Sequence, residues 1–156
     1  RDIPFAIETI ALREDPLVIA GDNLLDFSLQ PFIRYAQEKG TTCVVRYWEE
    51  SEAKLRKTGV AVADDYDRIL EMEEKPELPK SHWCTPPFYI YKACDVPLVK
   101  KGIESGCGID APGSFIAWLS RQTAVHAWEM PGKRYDIGNL ESYEAVKVAY
   151  KGLTIH

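Results

Sequence analysis

At 156 residues, 46% hydrophobic and 28% charged, the chain is long enough for one domain with a sizeable core and needs no disulfide framework to hold it. A net charge of −5 with no basic stripe argues against a nucleic-acid surface, and no apolar run approaches the roughly 20 residues that span a bilayer. A small anionic substrate stays open, because a few lysines and a metal ion can hold one. Cys43, Cys84, Cys94 and Cys107 show no C-x-x-C spacing and no companion histidine pair, which argues against zinc. They read as reduced thiols, mostly buried, in a cytoplasmic protein. The chain opens on Arg1-Asp2-Ile3 without a methionine, so a piece of something longer is expected.

Residues 4 to 13 read as a helix that Asp15-Pro16 stops. Leu17-Val18-Ile19-Ala20-Gly21 then runs without a charge and ends on Asp22-Asn23, the pattern of a central strand buried on both faces. Ligands in α/β sheets gather at the carboxyl ends of strands, and Gly21 would let one approach the backbone. Asp22 is therefore a candidate site residue, against the plain alternative that it only begins a loop. Ser28 caps a helix reaching Lys39, with Leu29, Phe32, Ile33 and Ala36 at helical spacing and Gly40 as its stop. Thr41 to Trp48 is a strand rich in β-branched and aromatic residues. The opening third thus alternates helix and strand, which implies an α/β fold.

Ser51 to Lys57 reads as a short polar helix or turn. Gly59 to Ala63 and Arg68 to Lys75 form a hairpin, so the sheet is mixed. Strict alternation in the return strand sets Leu70, Met72 and Glu74 on one face and Ile69, Glu71 and Glu73 on the other. Glu74 would then lie at the margin of an apolar face and need a partner or a ligand, unless the strand has already left the sheet. Trp83 to Tyr91 is a strand interrupted by Pro86-Pro87, neither of which can donate to a ladder. Asp95 to Ser105 and Pro112 to Arg121 read as helices, with Gly106 to Gly108 in the loop between. Ala124 to Glu129 is a strand, and Leu140 to Tyr150 a helix with Tyr143, Val146, Ala149 and Tyr150 inward.

Four stretches stand in a fixed order: Val-Ile-Ala-Gly-Asp22-Asn23, Gly59-Val-Ala-Val-Ala-Asp64, Glu74-Lys75-Pro76 and Tyr135-Asp136-Ile137-Gly138. This order resembles the sugar nucleotidyltransferases, the sugar-1-phosphate pyrophosphorylases typified by glucose-1-phosphate thymidylyltransferase. The resemblance runs from about Asp15 to the C-terminus. It implies a Rossmann-like fold, a mixed and mostly parallel sheet flanked by helices, incomplete on its N-terminal side. The implied reaction joins a nucleoside triphosphate to a sugar 1-phosphate and releases pyrophosphate, with Mg²⁺ as cofactor.

By the same resemblance Asp22 and Asp136 match the metal-binding aspartates, and Asn23 lies beside the first on the substrate side. Gly59 matches a glycine whose backbone lies against the sugar. Glu74 matches the acid that hydrogen-bonds sugar hydroxyls, and Lys75 the lysine that meets the sugar phosphate. Thr85 and Tyr89 fall where the family uses a backbone contact and a tyrosine near that phosphate. The chemistry agrees: two carboxylates can hold an ion that gathers phosphate oxygens, and a phosphate monoester needs no general base. His82, His126 and His156 show no paired spacing.

The chain departs from the family at three places. Arg134 stands where a tryptophan is usual, two residues before the second aspartate, and Pro87 where glycine is favoured. No stretch supplies the glycine-rich loop that cradles a triphosphate on backbone amides. The leading expectation is the C-terminal portion of such an enzyme, inert by itself, with an apolar sheet edge met by self-association, a rearranged sheet or residual upstream polypeptide. The alternatives are a non-catalytic regulatory or assembly module of the same fold that binds a sugar phosphate or partner chain, and an unrelated α/β binding protein.

Overall fold

The structure, a computed structural model, describes residues 14–107 and 112–153. The helix expected over 4 to 13 lies outside them, as does part of the loop at Gly106 to Gly108. In chain order the elements are β1 (Leu17–Ile19), β2 (Asn23–Leu25), α1 (Gln30–Lys39), β3 (Thr42–Trp48), α2 (Glu52–Leu55), β4 (Gly59–Ala63) and β5 (Ile69–Glu74). There follow β6 (Trp83–Thr85), β7 (Phe88–Ile90), α3 (Leu98–Glu104), α4 (Pro112–Leu119), β8 (Val125–Glu129), β9 (Arg134–Asp136) and α5 (Leu140–Ala149).

β3 is the strand buried on both faces. Thr42 to Val45 are all buried, because α1 covers one side of the sheet and α3 and α4 the other. Val45 packs with Phe32, Ala36, Phe88 and Ile90 beneath α1. Val44 packs with Met72, Tyr89, Val99, Phe115, Ile116 and Leu119 on the opposite face. This is the helix–sheet–helix layering of an α/β domain. The expected central strand, β1, takes an edge instead: it pairs only with β7 among the described residues and leaves Leu17 and Ile19 exposed.

The sheet is mixed, but its parallel share is smaller than the family resemblance implies. One pair, β3 with β8, is parallel, and the remaining pairs are antiparallel. Parallel neighbours need long crossovers, whereas the short link between β4 and β5 favours a tight antiparallel return. As expected, Pro86-Pro87 breaks one strand into two, so β3 meets β6 through Tyr47↔Cys84 and β7 through Val44↔Tyr89.

Two local readings change. The register of the β4–β5 hairpin shifts between Val62 and Ala63, where Val62 faces Glu71 and Ala63 faces Ile69. The bulge ejects Leu70 to solvent and turns Ile69 inward, so strict alternation fails at that end of the strand while Met72 stays buried. On α5, Val146 is buried, but Tyr143 and Ala149 face outward. That helix starts on a capping box in which Asn139 Oδ1 accepts from Ser142 N at 2.8 Å and Ser142 Oγ accepts from Asn139 N at 3.2 Å. Tyr150, just beyond its end, reaches back to donate to Leu25 O at 3.2 Å. Cys43 and Cys84 are buried as expected, while Cys94 is exposed and Cys107 half-buried; all four are free. No helix among the described residues is long and apolar enough to cross a membrane.

One buried polar contact secures the start of β3. Thr42 Oγ1 donates to Asp95 Oδ2 at 2.6 Å and accepts from Lys92 N at 2.9 Å, with both side chains buried. Thr42→Val would keep the shape and leave the carboxylate and the amide without that partner. Urea denaturation should show a loss of about 2–3 kcal/mol; a variant as stable as the parent would show that water replaces the hydroxyl.

Candidate functional site

Hydrogen-bond register places three of the expected residues side by side. On β6, β4 and β5 in turn, Thr85 pairs with Gly59 and Gly59 pairs with Glu74. They form one row across three strands. Glycine is required in the middle, since a Cβ there would lie 2.5 Å from Thr85 Oγ1 and 3.0 Å from Glu74 Oε2. From above, the first turn of α4 closes on the same carboxylate, and a Cβ on Gly113 would overlap Glu74 Oε2. Glu74 is half-buried between these two glycines, and burial raises its pKa above the ordinary glutamate range, with Lys75 opposing. It is a carboxylate in an apolar setting, facing an open cavity.

A second device brings Asp22 and Asp136 together. β2 and β9 form a two-stranded antiparallel ribbon of their own, in which Asn23 pairs with Asp136 and Leu25 with Arg134. Ile137 N donates to Asp22 O at 2.8 Å, extending the ribbon by one rung. Gly138 N donates to Asp136 Oδ1 at 3.0 Å. A Cβ on Gly138 would stand 3.2 Å from Asp136 Oδ1 and 3.7 Å from Asp22 Oδ2, so oxygens of both carboxylates flank one point. Asn23 Nδ2 donates to Asp22 Oδ1 at 2.7 Å, and Asn23 Oδ1 accepts from Arg134 Nη1. Arg134 Nη1 also stands 3.6 Å from Asp136 Oδ2. Asp22, Asn23, Arg134 and Asp136 thus form one linked polar group.

The row and the ribbon open on the same cavity of about 970 Å³. Its walls include Asp22, Asn23, Gly59, Glu74, Thr85, Tyr89 and Asp136, seven of the eight residues singled out in the sequence. Lys75 is not among them: it is exposed, and its backbone turns to φ 51° directly after β5. A non-glycine residue in that region is strained, which fixes where Glu74 ends and the chain turns away. Gly113, Tyr47 and Arg134 are among the wall residues not foreseen as site residues. Gly113 carried no signal, being one more glycine at a helix start. Tyr47 was read only as a strand residue; burial pushes its hydroxyl up to about 12, with nearby Arg134 pulling the other way. Arg134 registered only as a departure from a family pattern, although its spacing of two from Asp136 puts both on one face of a strand.

The donor set suits a hard divalent cation. Two carboxylates are too few to enclose an ion, and no group of three or more His, Cys, Asp or Glu side chains that could hold a metal occurs among the described residues. Mg²⁺ is commonly held by one or two carboxylates, with waters and substrate phosphates completing its shell.

Residues 4–152 match the family described as nucleotidyl transferase. A glucose-1-phosphate adenylyltransferase from Fervidobacterium nodosum is 23% identical over 129 residues, covering 81% of this chain and 31% of the relative. Another from Lachnospira eligens is 26% identical over 130 residues, covering 81% and 30%. The chain therefore spans less than a third of the length of these curated relatives. Among solved structures, a UDP-glucose pyrophosphorylase complexed with UDP-glucose superposes with a TM-score of 0.79 at 21% identity, over 92% of this chain and 59% of the other. A protein assigned as a glucose-1-phosphate thymidylyltransferase, from Bacillus anthracis and in complex with sucrose, gives 0.77 at 22% identity, over 97% and 60%. The fold is theirs.

The setting of Glu74 has a pH signature. A carboxyl group whose folded pKa is raised contributes stability below its unfolded pKa, and that contribution is lost as pH rises through the folded value. Glu74→Gln should therefore melt higher than the parent at pH 7, by up to about 2–4 °C after allowance for solvent screening, and the gap should close as pH falls below about 4.5. Thermal melts across pH check this, and an offset that does not change with pH would show that burial of the charge is not its cause.

Proposed function

Since the chain belongs to the nucleotidyl transferase family, we propose that it carries the metal and sugar-phosphate portion of a site that moves a nucleotidyl group. The group passes from a nucleoside triphosphate to a sugar 1-phosphate, and pyrophosphate leaves. One observation carries the reading: the Thr85–Gly59–Glu74 row and the Asp22–Asp136 pair, built on separate sheets, face one cavity. The names of the relatives as glucose-1-phosphate adenylyltransferases, and of the superposed UDP-glucose pyrophosphorylase, support it.

Each residue has a role that its setting allows. Glu74, an acceptor lacking a hydrogen-bond donor among the described residues, receives the hydroxyls of the sugar. Gly59 keeps the floor bare, so the ring lies against backbone. Thr85 and Tyr89 line the far side of that floor. Lys75 lies outside the cavity wall, on the turn that follows β5, and its role toward the sugar phosphate rests on the family resemblance alone. Asp22 and Asp136 hold Mg²⁺, and Asn23 fixes the first of them. When bound there, the ion would supply positive charge to phosphate oxygens.

The finer parts of the reading rest on lesser observations. Four free thiols suit a cytoplasmic location. The exposed Leu17 and Ile19 on the outer edge of β1 suit self-association. The 156 residues contain no glycine-rich loop, so this chain by itself should bind without turning over.

Calorimetry with glucose 1-phosphate, with and without Mg²⁺, tests the assignment. The parent should bind more tightly when the ion is present, and Asp22→Asn or Asp136→Asn should remove that gain. Binding indifferent to Mg²⁺ would favour the non-catalytic module. In the whole enzyme either substitution should lower turnover about 10²–10³-fold. Pyrophosphate release from the purified 156-residue chain should be undetectable, and robust release would refute the claim that it holds only part of a site.

A further inference from the structure

Arg134 has no part in the roles above, yet it is built into the cavity wall. Its side chain is only 19% exposed. Nη1 faces two acceptors at once, donating to Asn23 Oδ1 and standing 3.6 Å from Asp136 Oδ2. The guanidinium carbon lies 5.9 Å from the centre of the Tyr47 ring. Both acceptors fall on one amino group, which leaves the rest of the planar fork to Tyr47 and the cavity.

The two oxygens of Asp136 are not equivalent. Oδ1 is occupied by the Gly138 N–H at 3.0 Å. Oδ2 faces Arg134, and the Asp136 side chain as a whole is 60% exposed. A divalent ion seeking Asp136 therefore meets a cation already beside it. A carboxylate has lone pairs for both, but two neighbouring cations repel and share its charge, and the ion, with twice the charge, draws the larger part. The guanidinium is then left next to the ion with an unspent charge. Its remaining anchors, Asn23 and Tyr47, keep it in the cavity wall, and a phosphate bridging to the ion would be its natural partner. A guanidinium meets phosphate through two parallel N–H bonds, which an ammonium cannot do.

We propose that Arg134 is a phosphate-binding residue, held in the cavity wall by Asn23 and Asp136 and turned to phosphate once a divalent cation takes up the charge of Asp136. This rests on the functional reading above and assigns a residue that the reading leaves idle. Without phosphate, Arg134 opposes the cation at Asp136. With phosphate present it becomes the second positive charge on the ligand, so cation and phosphate strengthen one another's binding through it.

The signature is a pair of effects with opposite sign. Arg134→Gln should bind Mn²⁺ alone, followed by electron paramagnetic resonance, about two- to fivefold more tightly, because a competing charge has gone. With Mn²⁺ saturating, the same variant should bind glucose 1-phosphate about tenfold more weakly in calorimetry. Arg134→Lys should keep the Mn²⁺ affinity of the parent and recover only part of the phosphate affinity. If Arg134 merely braces the ribbon, both ligands weaken together in Arg134→Gln, and the proposal falls. It falls equally if phosphate affinity is unchanged while the parent binds both ligands, and the functional reading then stands. A parent chain that binds neither Mn²⁺ nor glucose 1-phosphate overturns both. Should Arg134→Gln fail to fold, Arg134→Lys decides: phosphate affinity lower by about threefold with Mn²⁺ affinity held supports the role, and a fall in both refutes it.

Discussion

Everything at the polar end of the cavity depends on the pairing of Asn23 with Asp136. Residues on opposite ends of the chain are joined there by a ribbon only three residues wide on each strand. So short a ribbon is weak by itself. It persists because its ends are tied: Lys133 N donates to Asp26 Oδ1 at 2.7 Å, and Asp26 N donates to Lys133 O at 3.2 Å. Behind it, Tyr135 packs edge-on against Tyr150 at 5.8 Å. The aspartates are thus positioned by backbone, and one oxygen of each, Asp22 Oδ2 and Asp136 Oδ2, has no hydrogen bond among the described residues.

The Glu74 end of the cavity is built on the opposite logic. Glu74 sits where an apolar face meets the cavity, and the glycines on either side admit its carboxylate without giving it a donor. The folded state carries this as a cost that a ligand's hydroxyls would relieve. Sites in general concentrate such local compromises, which surrounding structure must hold in place. Here the holding elements are the β4–β5 ladder below and α4 above.

Much of this was legible in the sequence, and the exceptions share a cause. Periodicity located α1, the β4–β5 hairpin and the strand at Val125–Glu129, since each follows from local side-chain pattern. The break at Pro86-Pro87 follows from local chemistry too. What escaped depends on partners distant in sequence. The run at Leu17–Ile19 is apolar enough for a sheet centre, yet which flank is covered is decided by strands elsewhere. Asn23–Leu25 has no alternation to mark it as a strand, and exists as one because Arg134–Asp136 lies alongside. The bulge at Leu70 is a matter of register between two strands. Among the candidate site residues, Asp22 stands out as a carboxylate at the end of an apolar run and Glu74 at the margin of an apolar face, whereas Asp136 follows Lys133-Arg134-Tyr135 and is marked by the family resemblance alone. Gly113 matters only because Glu74 comes to rest beside it.

The double proline between β6 and β7 bears on how the cavity tolerates change. From Val44 to Tyr47 the chain of β3 advances three residues, while its partner advances five, from Cys84 to Tyr89. The surplus is two, and two is the repeat of a strand's side chains. Phe88, Tyr89 and Ile90 therefore keep the facing that an unbroken strand would have given them, although the backbone bows outward at Pro87 to form part of the cavity wall. A surplus of one would turn Tyr89 from the α4 layer toward α1 and send Phe88 and Ile90 the other way. Length at this corner is consequently counted in pairs: lineages could gain or lose both prolines and keep the core, but never one.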